Sequence, residues 1–126
     1  MFNEKGVKII AGTDANVPVL VPGFSLHDEL ECMRSAGLST TDVLKSATVN
    51  PAKRLGLKTG VIAKGYMADI VLLNKNPLLN IKNTTTIETV IKEDLVFNLQ
   101  TLDVMLRDVE ELNNKSRTIY ISKYLN

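Results

Sequence analysis

The sequence has few of the residues from which metal centres and nucleophilic sites are built. It contains a single histidine, His27, and a single cysteine, Cys32. One cysteine excludes an internal disulfide and a cysteine metal cluster, and one histidine argues against a metal site formed by this chain alone. A serine nucleophile would lack a triad, because that histidine would have to serve every role. No phosphate-cradling glycine loop is present.

A dominant charge of either sign is also missing. The 126 residues include 15 basic and 14 acidic side chains, for a net charge of +1, which predicts neither a nucleic-acid nor a membrane-surface partner. No stretch approaches a transmembrane span and the start does not resemble a signal peptide. The compartment stays open, with the cytoplasm as the default. The length suits one domain but not a complete (β/α)8 barrel, which needs about 200 residues or more.

The chain is organised around residues 6–15, GVKIIAGTDA. The run at residues 7–11, apolar apart from Lys8, is short and rich in β-branched side chains, and it ends at Gly12, which predicts a strand buried on both faces of a parallel sheet. Asp14 would then lie just past the carboxyl end of the strand. It is either a catalytic group at the rim of an α/β barrel or a cap for the following turn or helix.

Three helices are predicted next. Ser25 is expected to cap the first, with Asp28 in capping-box spacing, and Gly37 to end it in the left-handed conformation. Ser39 or Thr40 caps the second. The predicted inward-facing side chains of these two helices are Leu26, Leu30 and Met33, then Val43, Leu44 and Ala47. Asn50 is the predicted cap of a short third helix, with Pro51 at its first position and Gly56 after its end.

The pattern changes near residues 56–60, where we place a boundary between segments 1–57 and 58–126. Short strands are predicted at residues 60–65 and 68–73, a loop at residues 74–83, and a half-buried strand at residues 87–92. Residues 95–97 would be the hairpin partner of the last strand, with Glu93 and Asp94 in the turn.

A further helix is predicted over residues 100–113 because one apolar stripe recurs at helical spacing. The stripe consists of Leu102, Met105, Leu106, Val109 and Leu112. It either packs on the sheet or forms a dimer seam. Residues 116–126 would form a final strand or a frayed tail.

Three isolated side chains each allow two interpretations. His27, in the first turn of the first helix, either packs at the surface or lines a substrate pocket. Cys32 is a small apolar residue on a helix face or a reactive thiol. Asp69, within an apolar run, is interpreted as structural, with its carboxylate held by backbone N–H groups of a neighbouring turn.

The blocks GTDA, ATVNPAKRLGL and GVIAKGYMADIVLL, in this order, resemble the C-terminal part of the amidohydrolase superfamily, in its imidazolonepropionase-like and Xaa-Pro dipeptidase-like branch. The resemblance covers about residues 6–112. It implies an α/β fold: the last β/α portion of a metal-dependent (β/α)8 barrel in residues 1–57, with strand eight and the helices after it. Residues 58–126 would hold the C-terminal part of a small β-sandwich and a terminal helix.

The resemblance also implies roles for individual residues. Asp14 matches the aspartate after barrel strand eight, which in the family contacts the metal and acts as the base toward metal-activated water. Gly12 and Thr13 shape that turn, and Thr13 and His27 are the candidate substrate-pocket residues. Asp69 matches the start of a sandwich strand and stays structural.

The departures from the family pattern are large. The family centre also uses two histidines on the first strand, a carboxylated lysine or a glutamate in mid-barrel, and two further histidines at strand ends. None of these is present, and His27, on a helix, does not replace one. Where the family has a glycine turn, this chain has Glu93 and Asp94, which predicts an irregular hairpin.

The sequence therefore predicts a C-terminal fragment of an amidohydrolase that cleaves C–N bonds of a peptide-like or cyclic amide, inactive alone. The full enzyme would hold a divalent metal, zinc by expectation, whereas this chain alone would bind none. The alternative is a non-catalytic domain that self-assembles or pairs with a separate N-terminal half. The expected partners are a small amide substrate in the full enzyme and a homo-oligomer or the N-terminal half, with no nucleic acid or membrane.

Overall fold

The computed structural model describes residues 5–14 and 20–122, and the side chains of the last helix as far as Lys115. The helices are α1 (Phe24–Ser35), α2 (Thr40–Ala47), α3 (Val49–Leu55) and α4 (Leu99–Ser122). The strands are β1 (Ile70–Leu73), β2 (Ile87–Lys92) and β3 (Leu95–Asn98), and a 3-10 helix spans Ile81–Thr85. The chain is thus a mixed α/β structure with one three-stranded sheet and a C-terminal helix.

The α1 helix ends as predicted but begins differently. Gly37 has a φ of 97° just beyond the helix, and Leu38 N–H donates to Met33 O at 3.3 Å, which closes the last turn. The predicted Ser25 cap is wrong, because Ser25 lies inside α1 and is buried. Its hydroxyl donates to Val21 O at 2.9 Å, so it satisfies a carbonyl of the preceding turn and leaves the helix N-terminus without a side-chain cap.

The α2 helix follows the prediction closely. Ser39 caps it, since the Ser39 hydroxyl oxygen accepts the Asp42 backbone N–H at 3.1 Å. Val43 is fully buried, and Leu44 and Ala47 pack against the core that it forms with Leu30, Leu38 and Ile81. The short spacing between α1 and α2 therefore builds the main apolar core of the chain.

The α3 helix starts two residues earlier than predicted, which changes the role of Asn50. Thr48 is the N-cap and Val49 the first helical residue, so Asn50 is not a cap. Pro51 still lies in the first turn, where a missing N–H costs no hydrogen bond. Gly56 closes the helix with a φ of 68°, as predicted.

The segment at residues 7–11 is not a strand, which corrects the central prediction. No strand pairs with it among the described residues, and a strand requires a neighbour with which to exchange backbone hydrogen bonds. It lies against the helices: Ile9 and Ala11 pack on the core, and Val7 and Ile10 are 47 % and 44 % exposed. The segment is therefore half-buried rather than buried on both faces.

The sheet is an antiparallel meander in the order β1-β2-β3. The predicted strand at residues 68–73 is shortened to β1, and β2 has the predicted bounds. The predicted strand at residues 60–65 is wrong. Gly60 has a φ of 79°, and a Cβ there would lie 2.5 Å from Thr48 O, so this stretch packs tightly against the junction of α2 and α3.

The β2–β3 hairpin is regular. Lys92 pairs with Leu95, and Glu93 and Asp94 form the two-residue turn with φ values of 50° and 65°. Two successive residues with positive φ are typical of a type I′ turn, whose twist matches that of the flanking strands. The irregular hairpin that the missing glycine predicts is therefore not observed.

The C-terminal helix is longer than predicted. It continues to Ser122, so the predicted final strand over residues 116–126 is wrong as far as residue 122, and residues 123–126 lie outside the described part. Two contacts join the 3-10 helix to the helical part: Ile81 belongs to the core, and Lys82 forms an ion pair with Glu31 of α1 at 3.2 Å. Within the described ranges, no helix combines the length and apolarity needed to cross a membrane.

Candidate functional site

The candidate site is the turn at residues 12–14, which follows the segment packed on the helices. Two hydrogen bonds fix that segment: Ala11 N–H donates to Ser46 O at 3.0 Å, and the Asn50 side-chain amide donates to Ile9 O at 2.8 Å. Asp14 follows with a φ of 49° and an exposed side chain. Asp adopts this left-handed conformation more easily than most residues. The carboxylate of Asp14 thus projects from an anchored turn.

Glu29 holds the same turn from α1. Its Oε1 accepts the Gly12 backbone N–H at 2.8 Å. Its Oε2 is buried without a hydrogen-bond partner, which is costly for a carboxylate oxygen. The sequence prediction did not include Glu29. Its spacing could have indicated it, because Glu29 lies one helical turn from Ser25 and one from Met33, on the buried face of α1.

Thr13 and His27, the two predicted pocket residues, are placed differently. Thr13 is half-buried within the turn, next to Asp14. His27 lies two residues before Glu29 in α1, and residues two apart point about 200° away from each other on a helix. The structure therefore brings Thr13 to the Asp14 turn and puts His27 on the opposite face of α1.

His27 contacts the 3-10 helix. Its Nδ1 lies 2.9 Å from Thr84 Oγ1, and that hydroxyl lies 2.9 Å from Ile81 O, which can only accept. Because the one hydroxyl proton is used toward Ile81 O, the proton between His27 and Thr84 is donated by His27 Nδ1. His27 borders an apolar groove of about 530 Å³ between α1 and α4. The contact with Thr84 agrees with the packing interpretation of His27, and its role in a substrate pocket stays a prediction.

Two further sequence interpretations concern residues away from the turn. Asp69 is exposed and not held by a backbone turn; instead its carboxylate pairs with Lys92 at 3.2 Å. Hydrogen bonds to Glu93 and to Asp69 raise the pKa of Lys92 above its ordinary value. Asp69 thus links β2 to the start of β1, which agrees with a structural role. Cys32 is exposed on α1.

The donor set of the turn does not by itself fit a metal ion. A protein zinc site uses three or four ligands, and the described residues contain no group of three or more His, Cys, Asp or Glu side chains that could hold a metal. The nearby Glu29 already uses one oxygen for Gly12. This part of the chain offers Asp14 as a single exposed ligand, so the remaining ligands would have to come from elsewhere.

Comparison with known proteins identifies the family. The model of the amidohydrolase family matches residues 1–109, which is most of the chain. This protein belongs to the amidohydrolase family.

Several curated relatives share the matched region. The chain is 51 % identical over 86 residues to a 5-methylthioadenosine/S-adenosylhomocysteine deaminase from Pyrococcus abyssi, with 56 % of this chain and 18 % of the relative covered. It is 31 % identical over 80 residues to a 5′-deoxyadenosine deaminase from Methanococcoides burtonii (58 % and 18 %). It is 35 % identical over 83 residues to an ochratoxinase from Aspergillus niger (63 % and 16 %).

Solved structures agree with the family assignment. A Xaa-Pro dipeptidase with bound methionine superposes with a TM-score of 0.66 at 35 % identity, covering 76 % of this chain and 23 % of the dipeptidase. Molinate hydrolase superposes with a TM-score of 0.69 at 25 % identity, covering 80 % and 26 %. The chain thus spans about a quarter of these structures and at most about a fifth of the curated relatives.

Proposed function

We propose that this chain supplies the C-terminal part of a metal-dependent amidohydrolase that hydrolyses C–N bonds, with Asp14 as its catalytic carboxylate. The family match over residues 1–109 is the observation that carries the proposal. Relatives named as deaminases and a structural neighbour named as a Xaa-Pro dipeptidase support it, because deamination and dipeptide cleavage both break C–N bonds by adding water. In this proposal, residues 1–57 belong to the barrel and residues 58–126 to the sandwich and its terminal helix.

The turn has the properties that the proposed role requires. Asp14 is exposed, so its carboxylate can meet a substrate and accept a proton from an attacking water. The N–H groups of Ala11 and Gly12 donate hydrogen bonds that hold the backbone directly before Thr13 and Asp14, which limits the movement of the Asp14 carboxylate. Thr13 would line the pocket beside it. A divalent metal, zinc by expectation, would activate the attacking water when bound, with Asp14 as one of several ligands.

A second candidate is that the chain acts as a non-catalytic piece that pairs with a separate N-terminal half. The exposed face of residues 7–11 favours it, since Val7 and Ile10 are apolar and no strand pairs with their backbone among the described residues. Unpaired backbone beside apolar side chains is a template for strand addition. This candidate and the first differ in whether the assembled protein turns over a substrate.

A chimera tests the proposed function. Residues 1–109, which the family model matches, would replace the C-terminal segment of the Pyrococcus abyssi deaminase, and ammonia release from 5-methylthioadenosine would be measured. We expect turnover with Asp14 present. Asp14→Asn should lower kcat by about a thousandfold, within the range for loss of a positioned base. The exposed Asp28→Asn serves as the matched control and should leave kcat unchanged.

Two results would contradict the proposal. The first is a folded, metal-loaded chimera in which Asp14→Asn and Asp28→Asn have the same kcat. The second is stoichiometric zinc and amide hydrolysis by the 126-residue chain alone, since the described residues supply too few ligands. A folded chimera that binds metal without any turnover would favour the non-catalytic candidate.

A further inference from the structure

Four basic side chains converge on one groove of the helical part. The groove has a volume of about 470 Å³ and lies between residues 8–10 and helices α2 and α3. Its basic lining residues are Lys8, Lys45, Lys53 and Arg54, and no acidic side chain of the described residues lines it. The ion pairs formed between described residues include none of these four side chains. We call this surface the basic groove.

The backbone that carries these side chains is held together by hydrogen bonds. Ala11 N–H donates to Ser46 O at 3.0 Å, which joins the N-terminal segment to the end of α2. The Asn50 side-chain amide lines the groove and donates to Ile9 O at 2.8 Å, which joins the same segment to α3. The three elements therefore keep their separation, and an anion that binds between them need not order the backbone.

Helix dipoles explain only part of the cluster. Lys45 lies in the last turn of α2, and Lys53 and Arg54 lie in the last turn of α3, where the exposed carbonyl groups favour cations. Lys8 belongs to no helix, yet it lines the same groove. Asp42 shares an adjoining cleft with Lys8 and Lys45, so it offsets part of their charge, but it does not line the basic groove itself. The groove keeps an excess of positive charge, whose mutual repulsion a bound anion would relieve.

The positive charge is local, which limits the size of the ligand. Because four positive charges lie in the groove and the whole chain has a net charge of +1, the remaining residues are net acidic and would repel an extended polyanion such as a nucleic-acid strand. The volume of the groove lies in the range of small-ligand sites. Phosphate oxygens suit these side chains, since Arg binds them through two N–H groups and Lys as a point charge.

We propose that the basic groove binds a compact polyphosphate, a small ligand with two or three linked phosphate groups. Such a ligand carries enough negative charge to contact all four cations and is short enough to stay within the groove. Asp14 does not line the groove, and the inference does not depend on the proposed function. It applies whether or not the assembled protein hydrolyses C–N bonds.

Isothermal titration calorimetry of the 126-residue chain with tripolyphosphate tests the proposal. A metal-free buffer of about 50 mM NaCl keeps screening low and excludes phosphate binding through a metal at Asp14. We expect one tripolyphosphate per chain, bound about tenfold more tightly than orthophosphate, because each additional exposed charge pair strengthens binding by up to about fivefold. Raising the NaCl concentration to about 0.3 M should weaken the binding.

Paired charge removals locate the site. Lys53→Gln with Arg54→Gln removes two charges from the groove and should weaken tripolyphosphate binding by about tenfold. Lys64→Gln with Lys75→Gln is the matched control, since both lysines are exposed and lie outside the groove, and their loss removes the same net charge. It should leave binding unchanged within about twofold. Lys8→Gln, outside any helix, provides a second weakening variant if the Lys53 and Arg54 changes lower helicity.

Three results would overturn the proposal. The first is equal weakening by the two double variants, which would mean that tripolyphosphate responds only to net charge. The second is the absence of binding, or binding no tighter than that of orthophosphate. The third is tighter binding of a single-stranded oligonucleotide, or of vesicles that contain phosphatidylserine, which would show that the surface recognises an extended polyanion.

Discussion

The helical part of the chain and its sheet bury their apolar side chains to very different degrees. Before Gly60 the core contains Leu30, Leu38, Val43 and Ala52, all less than 10 % exposed. After it, among the described residues, only Ile81 joins that core. Strands β1 and β3 keep apolar side chains exposed, for example Val71 at 52 % and Val96 at 66 %. One part buries its apolar side chains between packed helices, and the other, although α4 contacts β2 and β3, leaves many apolar side chains exposed.

This difference shows which elements of the chain bury their apolar faces against one another. Stable domains bury the apolar face of each element against a second layer, and α1 and α2 do so for each other within about twenty residues of sequence. Among the described residues, strands β1 and β3 keep part of their apolar surface open. The proposed N-terminal half would cover part of that surface.

The largest effect on stability is expected when one leucine in each part is replaced by alanine and the two losses are compared. Leu30→Ala removes a side chain that is 4 % exposed, and Leu95→Ala removes one that is 62 % exposed. We expect Leu30→Ala to lower the free energy of unfolding by about 3 kcal/mol, from lost burial and the cavity left behind. Leu95→Ala should change it by no more than about 0.5 kcal/mol. Urea denaturation measures both, and equal losses would show that β3 is covered after all.

A smaller effect is expected where the two parts meet. Gly60→Ala places a Cβ 2.5 Å from Thr48 O at a positive φ, so strain and overlap add, and we expect a total loss of about 2 kcal/mol, to be compared with a control. Gly65→Ala is that control: its φ is 83° with no atom within 4 Å of the added Cβ. It should cost only the conformational strain, about 1 kcal/mol. A Gly60→Ala cost no greater than that of Gly65→Ala would mean that residues 60–65 separate readily from the helices.

The same comparison shows what the sequence could predict. The Gly37 and Gly56 helix ends, the Ser39 cap and the inward Val43 depend on residues within a few positions, and all were predicted. The bonds that fix the candidate turn are long-range: Gly12 to Glu29 spans 17 positions and Ile9 to Asn50 spans 41. Short-range patterns carry no information about such partners, so Asn50 was predicted as a cap and Glu29 was not singled out.

The strand prediction for residues 7–11 failed for a related reason. Apolarity and β-branching show that a segment suits a sheet, but strand formation also requires a neighbouring strand. Among the described residues the segment finds helices instead. The identity of Asp14 as the candidate catalytic residue came from the family motif, and its role stays a prediction that the chimera tests.

The smallest expected effect, and the only gain, concerns the turn of the β2–β3 hairpin. Asp94 has a φ of 65°, where glycine has no steric cost and aspartate has some. Asp94→Gly should therefore raise the free energy of unfolding by about 0.5 kcal/mol, measured by urea denaturation. Glu93→Gly relieves the same kind of strain but removes the 3.0 Å ion pair with Lys92, so its gain should be smaller at neutral pH.

The pH dependence of that pair of variants separates strain from charge. The pKa of Lys92 is raised from 10.5 by its bonds to Glu93 and Asp69, so this ion pair stabilises the fold fully below about that pH and less as pH rises through the higher folded value. The two variants should therefore converge in stability at strongly alkaline pH. A difference in stability that persists at alkaline pH would mean that the Glu93 side chain acts through the turn backbone rather than through Lys92. A loss of stability in Asp94→Gly would contradict the expectation that the positive φ of Asp94 strains this hairpin.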